Sequence, residues 1–248
     1  KKSYFTFIFK KKYKVFEIDR DTGKKKFYSY LQQADVIVHL AGVNRPKNSN
    51  FDQNIEITDL ICQYLIKKKL KKKIIFSSST QIILKNPYGI SKKKCEKKLI
   101  FLSKKTNSQI IILRLPNVFG KWSKPNYNSV VSTFCHNIIN KKKNRINEPN
   151  KIISFLYIDD LIEIFFKLLK PQKKKILYPK IDKQFKISLR NLNNTIEDFH
   201  KKRKKLFVIN MLDSFNRNLY STYLSFLNKE NFRYTYKCIK DRRGSFAE

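Results

Sequence analysis

Glycine is scarce in this sequence, and its scarcity excludes one common kind of site. The 248 residues include only five glycines, and no two of them lie within three residues of each other: Gly23, Gly42, Gly89, Gly120 and Gly244. A glycine-rich loop that holds phosphates on a helix N-terminus needs several closely spaced glycines. The printed residues therefore contain no such loop.

Cysteine, histidine and long apolar runs are also rare. The four cysteines and three histidines are scattered without a C-x-x-C pair, so their spacing predicts no metal site and no disulfide framework. No apolar run approaches the ~20 residues that span a membrane. The apolar stretch Tyr4 to Phe9 is too short for a signal peptide. We therefore expect a cytoplasmic chain with reduced thiols and no membrane partner.

Acidic residues are outnumbered, at 19 against 55 basic residues, and the net charge is +36. Such a surplus first indicates a nucleic-acid partner, because basic side chains neutralise phosphates. However, 45 of the basic residues are Lys and only 10 are Arg, and the lysines are spread over every segment. This composition is typical of AT-biased coding. Nucleic-acid binding is therefore kept only as the least favoured of three hypotheses.

Apolar periodicity predicts alternating strands and helices up to Gly120. Helices are expected over Gln53–Lys69, where apolar residues follow an i, i+3, i+4, i+7, i+8 pattern, and over Pro87–Leu102. Continuous β-branched runs predict strands between them: Tyr13–Ile18, Asp35–Leu40, Lys73–Ser77 and Ser108–Leu115. This order predicts an α/β fold, in which helices cover both faces of a parallel sheet.

The pattern changes after Gly120, where a smaller C-terminal part is expected. A strand is predicted over Ile152–Tyr157, followed by Asp159-Asp160 as the N-cap of a helix over Leu161–Leu169. A polar connection follows from Pro171 to Pro179. Further helices are predicted in three places: Ser129–Asn140, Leu189–Lys202 and Arg217–Phe226.

Tyr88 and Lys92 are candidate catalytic residues because they stand four apart at the start of a predicted helix. A neighbouring cation favours the phenolate and so brings the pKa of a tyrosine towards neutrality. Chance alone predicts two or three such pairs here, and there are three, the others being Tyr64/Lys68 and Tyr236/Lys240. Only Tyr88 follows a strand that ends in hydroxyl residues, IIFSSST, where a ligand crevice is expected.

Four motifs together resemble the extended short-chain dehydrogenase/reductases, a family of nucleotide-sugar epimerases, dehydratases and reductases. In chain order they are HLAG, FSSS, PYGISK and RLPNVFG. The stretches GKWSKPNYNSVV and FLYIDDLIE and the final DRRGSF are similar to bifunctional capsular-polysaccharide enzymes of the CapF type. The resemblance implies a Rossmann-like fold and NADPH-dependent reduction of the 4-keto group of a UDP-linked 6-deoxy-N-acetylhexosamine.

The resemblance also implies roles for individual residues. Tyr88 corresponds to the catalytic acid, Lys92 lowers the pKa of that tyrosine and holds the nicotinamide ribose, and Ser79 polarises the keto oxygen, with Thr80 the less favoured alternative. Arg20 beside Asp19 favours NADP(H), although NAD is possible. Further cofactor contacts are implied at Leu40, Ala41, Gly42 and Pro116. Substrate contacts are implied at Asn117, Arg45, Lys121 and Tyr127.

The chain departs from the family pattern at both ends. The resemblance places the first strand and the Gly-rich loop upstream of Lys1, and residues 241–248 resemble the opening of a cupin domain. The expected division is therefore 1–120 for the cofactor, 121–240 for the substrate and 241–248 as a cupin stub. A homodimer through the helices after Ile57 and Pro87 is also implied. Besides an active reductase, a remnant that binds cofactor poorly fits these departures.

Overall fold

A computed structural model describes residues 4–43, 51–233 and 238–247. The helices are α1 Tyr4–Phe9, α2 Lys24–Gln33, α3 Asp52–Lys67, α4 Pro87–Thr106, α5 Val130–Ile139, α6 Ile158–Leu169, α7 Leu189–Lys204, α8 Ser214–Leu224 and α9 Lys229–Phe232. The strands are β1 Val36–His39, β2 Lys73–Ser79, β3 Gln109–Leu115, β4 Asn117–Phe119, β5 Ile152–Tyr157, β6 Ile176–Leu177, β7 Phe185–Ser188, β8 Cys238–Asp241 and β9 Gly244–Ala247. A 3₁₀ turn over Thr80–Ile83 separates β2 from α4.

A parallel sheet with the order β1-β2-β3-β6 forms the centre of the fold. Its register places His39 opposite Phe76 and Ser79 opposite Leu115. The inner strands β2 and β3 contain runs of consecutive apolar residues, which is the pattern of strands buried on both faces. Because the strands are parallel, β1, β2 and β3 all end at the same edge of the sheet.

Helices cover both faces of this sheet, as the sequence predicts. Ile74 and Phe76 pack on one face with α2, α3 and α4, whereas Ile75 points to the other face with α1 and α6. The alternation follows from the two-residue period of a strand. The chain therefore has a Rossmann-like α/β fold.

The chain divides into two compact units. Unit 1 contains residues 1–119 and 153–186, and unit 2 contains residues 120–152 and 187–248. In unit 2, α7 and α8 pack through Phe199, Tyr220 and Tyr223, and the Tyr223 hydroxyl lies 2.9 Å from Nδ1 of His200. Assigning residues 1–120 to cofactor, 121–240 to substrate and 241–248 to a cupin stub stays a prediction.

The predicted strand Tyr13–Ile18 is wrong, because this segment is irregular. An apolar run becomes a strand only when a neighbouring strand accepts its ladder hydrogen bonds, and none does so among the residues that the structure describes. Two smaller corrections concern α6 and the connection after it. Asp159 and Asp160 lie in the first turn of α6 rather than at its N-cap. The connection predicted as irregular contains β6, which pairs with β3.

No helix within the described ranges is long and apolar enough to cross a membrane. In the same ranges, no three His, Cys, Asp or Glu side chains converge as a metal site would require. All four cysteines are free thiols, of which Cys238 alone is exposed.

Candidate active site

The three serines that end β2 each hold a different part of the site. The Ser77 carbonyl accepts a hydrogen bond from Nζ of Lys92 at 3.0 Å. The Ser78 hydroxyl donates to the Glu96 carboxylate at 2.5 Å. The Ser79 hydroxyl lies beside the side chain of Tyr88, and it accepts the backbone N–H of Gln81 at 3.1 Å. Ser77 and Ser78 thereby fix the end of β2 to α4.

Opposite the end of β2, the site is formed by one side of α4, which carries Tyr88, Lys92 and Glu96. Their i, i+4, i+8 spacing places all three on one side of the helix. The helix begins where the sequence predicts, with Pro87 in the first turn and the Asn86 side chain accepting the Gly89 N–H at 2.7 Å.

Gly89 sets how closely this helix approaches the turn after β2. A Cβ at residue 89 would lie 2.1 Å from the carbonyl oxygen of Gln81, a distance that real Cβ atoms do not reach. Only glycine therefore allows α4 to pack against the 3₁₀ turn. This close approach brings Tyr88 beside Ser79.

The pKa of Tyr88 is raised above its usual value, chiefly because the phenol is largely withdrawn from water. The neighbouring Ser79 hydroxyl opposes this shift of the Tyr88 pKa but is the smaller effect. The expectation that Lys92 lowers this pKa is therefore wrong for the ligand-free site. The reason is geometric: the Lys92 ammonium lies 5.9 Å from the ring centre of Tyr88 and is bonded to Ser77 instead.

Lys92 is a buried lysine, only 3% exposed. Burial lowers its pKa to about 8. The ammonium lies 4.9 Å from the centre of the Phe76 ring, and this contact with the ring face partly replaces water. At neutral pH the group is still mostly charged, and a small change in its surroundings changes its protonation.

Glu96 is buried, and its charge is balanced by Arg114 at the end of β3. The guanidinium binds both carboxylate oxygens, Nε at 3.1 Å and Nη2 at 2.8 Å. The face of the Arg114 guanidinium stacks on Tyr178, with its central carbon 4.8 Å from the ring centre. Sequence reasoning missed this pair, although Glu96 stands four residues beyond Lys92.

A chain of buried polar groups lies behind Lys92. His39 contacts the Thr58 hydroxyl at 2.9 Å, and Thr58 donates to the Asn54 carbonyl at 2.9 Å. The Asn54 side chain binds both backbone groups of Val43 and the Ser91 hydroxyl. Burial, together with the charge of Lys92, lowers the pKa of His39 to about 3, so this imidazole is neutral. The network fixes the loop after β1 to α3 and α4.

Sequence reasoning also missed the buried face of α3. It expected the apolar residues to face the core, but Leu60 is 41% exposed while Asn54 and Thr58 are buried. The signal was present as a polar pair four residues apart on the face of Ile61 and Leu65. A buried polar pair of this kind marks a network rather than an apolar core.

The implied cofactor residues are open to solvent on the two loops that carry most of them. Leu40, Ala41 and Gly42 follow β1 and are exposed, and a Cβ at Gly42 would lie 3.0 Å from Nζ of Lys92. Pro116 follows β3 and is buried. Asp19 and Arg20 are exposed, and the Asp19 carboxylate accepts the Thr22 hydroxyl at 2.8 Å.

The implied substrate residues belong to different units of the chain. Asn117 is exposed in unit 1 and donates to the Ser154 carbonyl at 3.3 Å. Lys121 and Tyr127 belong to unit 2, where the Lys124 ammonium lies 5.6 Å from the centre of the Tyr127 ring. Arg45 lies outside the described residues. The structure thus brings Tyr88, Lys92, Ser79 and Gly42 together.

Among the described residues, the Tyr64/Lys68 pair has different surroundings. Tyr64 stacks on Tyr28 and donates to Gln32 at 3.2 Å, and Lys68 is exposed at the end of α3. Tyr236 lies outside the described residues. In this fold, the strand end rather than the spacing distinguishes Tyr88 and Lys92.

Two known proteins are similar to this chain over most of its length. The chain is 36% identical over 236 residues to UDP-2-acetamido-2,6-beta-L-arabino-hexul-4-ose reductase of Pseudomonas aeruginosa, covering 94% of this chain and 63% of that protein. The crystal structure of CapF, a capsular polysaccharide assembling protein of Staphylococcus aureus, superposes with a TM-score of 0.82 at 32% identity, again over 94% and 63% of the two chains. The chain thus spans less than two thirds of the length of these relatives.

A more distant solved structure supports the fold alone. UDP-glucose 4-epimerase of Thermotoga maritima superposes with a TM-score of 0.67 at 17% identity, covering 82% of this chain and 81% of the epimerase. The family model described as NAD dependent epimerase/dehydratase matches residues 8–178, more than half of the chain. The chain belongs to the NAD-dependent epimerase/dehydratase family.

Proposed function

We propose that this chain is the reductase part of an enzyme that reduces the 4-keto group of a UDP-linked 6-deoxy-N-acetylhexosamine for a capsular or surface polysaccharide. The observation that carries the proposal is the position of Tyr88 beside Ser79 at the end of β2, four residues before the buried Lys92. The substrate class rests on the Pseudomonas relative, whose name describes a UDP-linked 2-acetamido sugar with a keto group at C4.

Reduction of a ketone needs a hydride at carbon and a proton at oxygen. A bound nicotinamide cofactor supplies the hydride. Tyr88 is the proposed proton donor because its phenol lies beside Ser79 at the end of β2 and is protonated at neutral pH. Ser79 donates a hydrogen bond to the keto oxygen and so stabilises the charge that develops there.

The nicotinamide end of a cofactor fits the described residues. Gly42 leaves space directly beside the Lys92 ammonium, which a side chain at that position would fill. Lys92 would hold the ribose, with Leu40, Ala41 and Pro116 alongside. For the pyrophosphate, the described ranges offer no glycine-rich turn at a helix N-terminus. A second candidate is a remnant that retains the catalytic side chains and binds cofactor poorly.

The choice of cofactor is proposed to be NADPH rather than NADH. Arg20 is exposed and free to meet a 2′-phosphate, whereas the neighbouring Asp19 carboxylate is occupied by Thr22. Arg20→Gln is expected to raise the KM for NADPH about tenfold and to leave the KM for NADH unchanged. Equal effects on both cofactors would contradict this assignment.

A homodimer through α3 and α4 is also proposed. Leu60 on α3 and Phe101 on α4 are 41% and 53% exposed, which leaves apolar surface on both helices. The lysines on these helices oppose self-association unless they are paired. Sedimentation at low and high salt tests the proposal: a dimer that strengthens with salt agrees, and a monomer at every concentration contradicts it.

The function itself is tested with two matched tyrosine variants. Tyr88→Phe is expected to lower keto reduction by about 10²- to 10⁴-fold without changing NADPH affinity, because it removes only the proton donor. Tyr64→Phe is the control, since Tyr64 also precedes a lysine by four residues but its hydroxyl donates to Gln32. Turnover is followed by NADPH absorbance and binding by NADPH fluorescence. Turnover retained by Tyr88→Phe contradicts the proposal, and unsaturable NADPH binding by the wild type favours the remnant.

A further inference from the structure

The loop between α7 and α8 in unit 2 exposes apolar side chains immediately after a run of lysines. Five residues of this apolar loop are open to solvent, two of them almost completely: Leu206 41%, Phe207 62%, Val208 92%, Met211 39% and Leu212 93%. Scattered exposed apolar residues are ordinary, but a contiguous group marks an interaction surface. These residues belong to no part of the proposed active site.

The apolar loop is held by its backbone, so its exposure is built into the fold. Leu206 adopts a left-handed conformation, and the Phe207 N–H bonds the Lys202 carbonyl at 2.9 Å, which is the helix-ending pattern known as a Schellman motif. Ile209 is buried as the apolar anchor. Arg217 donates to the Met211 carbonyl at 2.9 Å. The described contacts thus fix the backbone and leave Val208 and Leu212 facing solvent.

The charge beside the apolar loop is positive. Lys201, Lys204 and Lys205 are exposed, whereas Lys202 is paired with Asp198 at 2.8 Å. The carboxylate nearest the other end of the loop, Asp213, accepts the Asn216 N–H as the N-cap of α8. Three exposed lysines therefore adjoin the apolar side chains.

We propose that this apolar loop docks on the surface of an anionic lipid bilayer. Phe207, Val208 and Leu212 would enter the boundary between headgroups and acyl chains, and the three lysines would meet the lipid phosphates. Apolar residues beside a basic cluster are the two features that together give stable peripheral binding. This proposal differs from the expectation, drawn from the sequence, of no membrane partner. Docking needs no spanning helix, so it is compatible with the lack of one in the described ranges.

The experiment measures co-sedimentation of the full chain with vesicles at physiological ionic strength. The vesicles contain either phosphatidylcholine alone or equal parts of phosphatidylcholine and phosphatidylglycerol. Binding is expected only to the anionic vesicles. Val208→Ser with Leu212→Ser is expected to weaken it about tenfold, and Lys201→Gln with Lys204→Gln and Lys205→Gln is expected to weaken it by a similar factor.

Matched controls separate the apolar loop from general attraction by a basic protein. Lys67→Gln with Lys68→Gln and Lys71→Gln removes the same charge from another exposed lysine cluster, and Ile83→Ser with Ile152→Ser removes two exposed apolar side chains elsewhere. Both controls are expected to bind like the wild type. Thermal unfolding confirms that each variant is folded.

Three results would overturn the proposal. The first is absence of wild-type binding to the anionic vesicles. The second is an equal loss in the lysine control, which would show nonspecific attraction that fades with salt. The third is full binding by the Val208 and Leu212 variant, which would show that the apolar loop does not enter the bilayer.

Discussion

The two sides of the proposed site are built in different ways. On the catalytic side, Ser78, Glu96 and Lys92 are buried, and each has a hydrogen-bonded partner on a neighbouring strand or helix. On the cofactor side, Asp19 is exposed, and within the described ranges the hydrogen bonds of its carboxylate and N–H go to residues at most three positions away. Packing of unit 1 therefore fixes the catalytic geometry, whereas nothing comparable fixes the turn that would meet the cofactor phosphates.

A pair of glycine substitutions should show the largest difference in stability between the two sides of the site. Gly89→Ala is expected to lower the free energy of unfolding by about 3 kcal/mol or more, because the new Cβ would overlap the Gln81 carbonyl. Gly23→Ala, near the cofactor-side turn, meets no atom within 4 Å and is expected to change stability by less than about 1 kcal/mol. Urea unfolding measures both. Similar losses would show that the two sides are equally constrained.

Removing the counter-charge of Glu96 should cause the next largest loss of stability. Arg114→Met leaves a buried carboxylate with Ser78 as its remaining side-chain donor among the described residues, and about 3 kcal/mol of stability should be lost. The control is Lys151→Met, which breaks the exposed pair with Glu148 and should cost less than about 1 kcal/mol. Equal costs in urea unfolding would contradict a structural role for the Arg114–Glu96 pair.

The buried charge of Lys92 gives a smaller, pH-dependent effect. Because the folded-state pKa is about 8 against an ordinary 10.5, Lys92→Met should raise the free energy of unfolding at pH 7 by about 2 kcal/mol. Above pH 8 the folded chain has lost a proton that the unfolded chain keeps, so the wild type gains stability and the advantage of the variant shrinks. Unfolding at pH 7 and pH 9 measures it. An unchanged difference would mean that Lys92 is not strained by burial.

Because His39 is neutral in the folded chain, we expect the free energy of unfolding to fall as the pH drops below 6.5. Its folded-state pKa is about 3 against an ordinary 6.5, so only the unfolded chain takes up this proton as the pH falls below 6.5. Wild-type stability should therefore lose about 1 to 2 kcal/mol through this group between pH 7 and pH 5. His39→Gln should lose less over that range in the same unfolding experiment. An identical acid loss in both proteins would exclude His39 as its source.

The parts that the sequence predicted well are those with a local signal. Apolar runs predicted β2 and β3, and Asn86-Pro87 predicted the start of α4. The hydroxyl run after Phe76 predicted that Tyr88 rather than Tyr64 would lie at a strand end. These features depend on periodicity, capping and the parallel order of the sheet, which a single sequence contains.

The parts that the sequence missed depend on partners distant in the chain. The segment Tyr13–Ile18 has strand-like composition but no neighbouring strand among the described residues. The pKa of Tyr88 was expected to fall because Lys92 stands four residues away, yet the ammonium bonds Ser77 and burial dominates. The charge of Glu96 is balanced by Arg114, 18 residues further on. Such pairings are set by tertiary packing rather than by spacing.

Proton donation by Tyr88 to a 4-keto sugar is the central claim, and isotope transfer tests it most directly. The chain is incubated with NADPH deuterated at the transferable position of the nicotinamide and with a UDP-linked 4-keto-6-deoxy-N-acetylhexosamine, and the product is read by NMR. The wild type should place deuterium at C4 of the sugar, and Tyr88→Phe should place almost none there. Equal deuterium incorporation by the Tyr88→Phe variant, or deuterium at another carbon, would contradict the account.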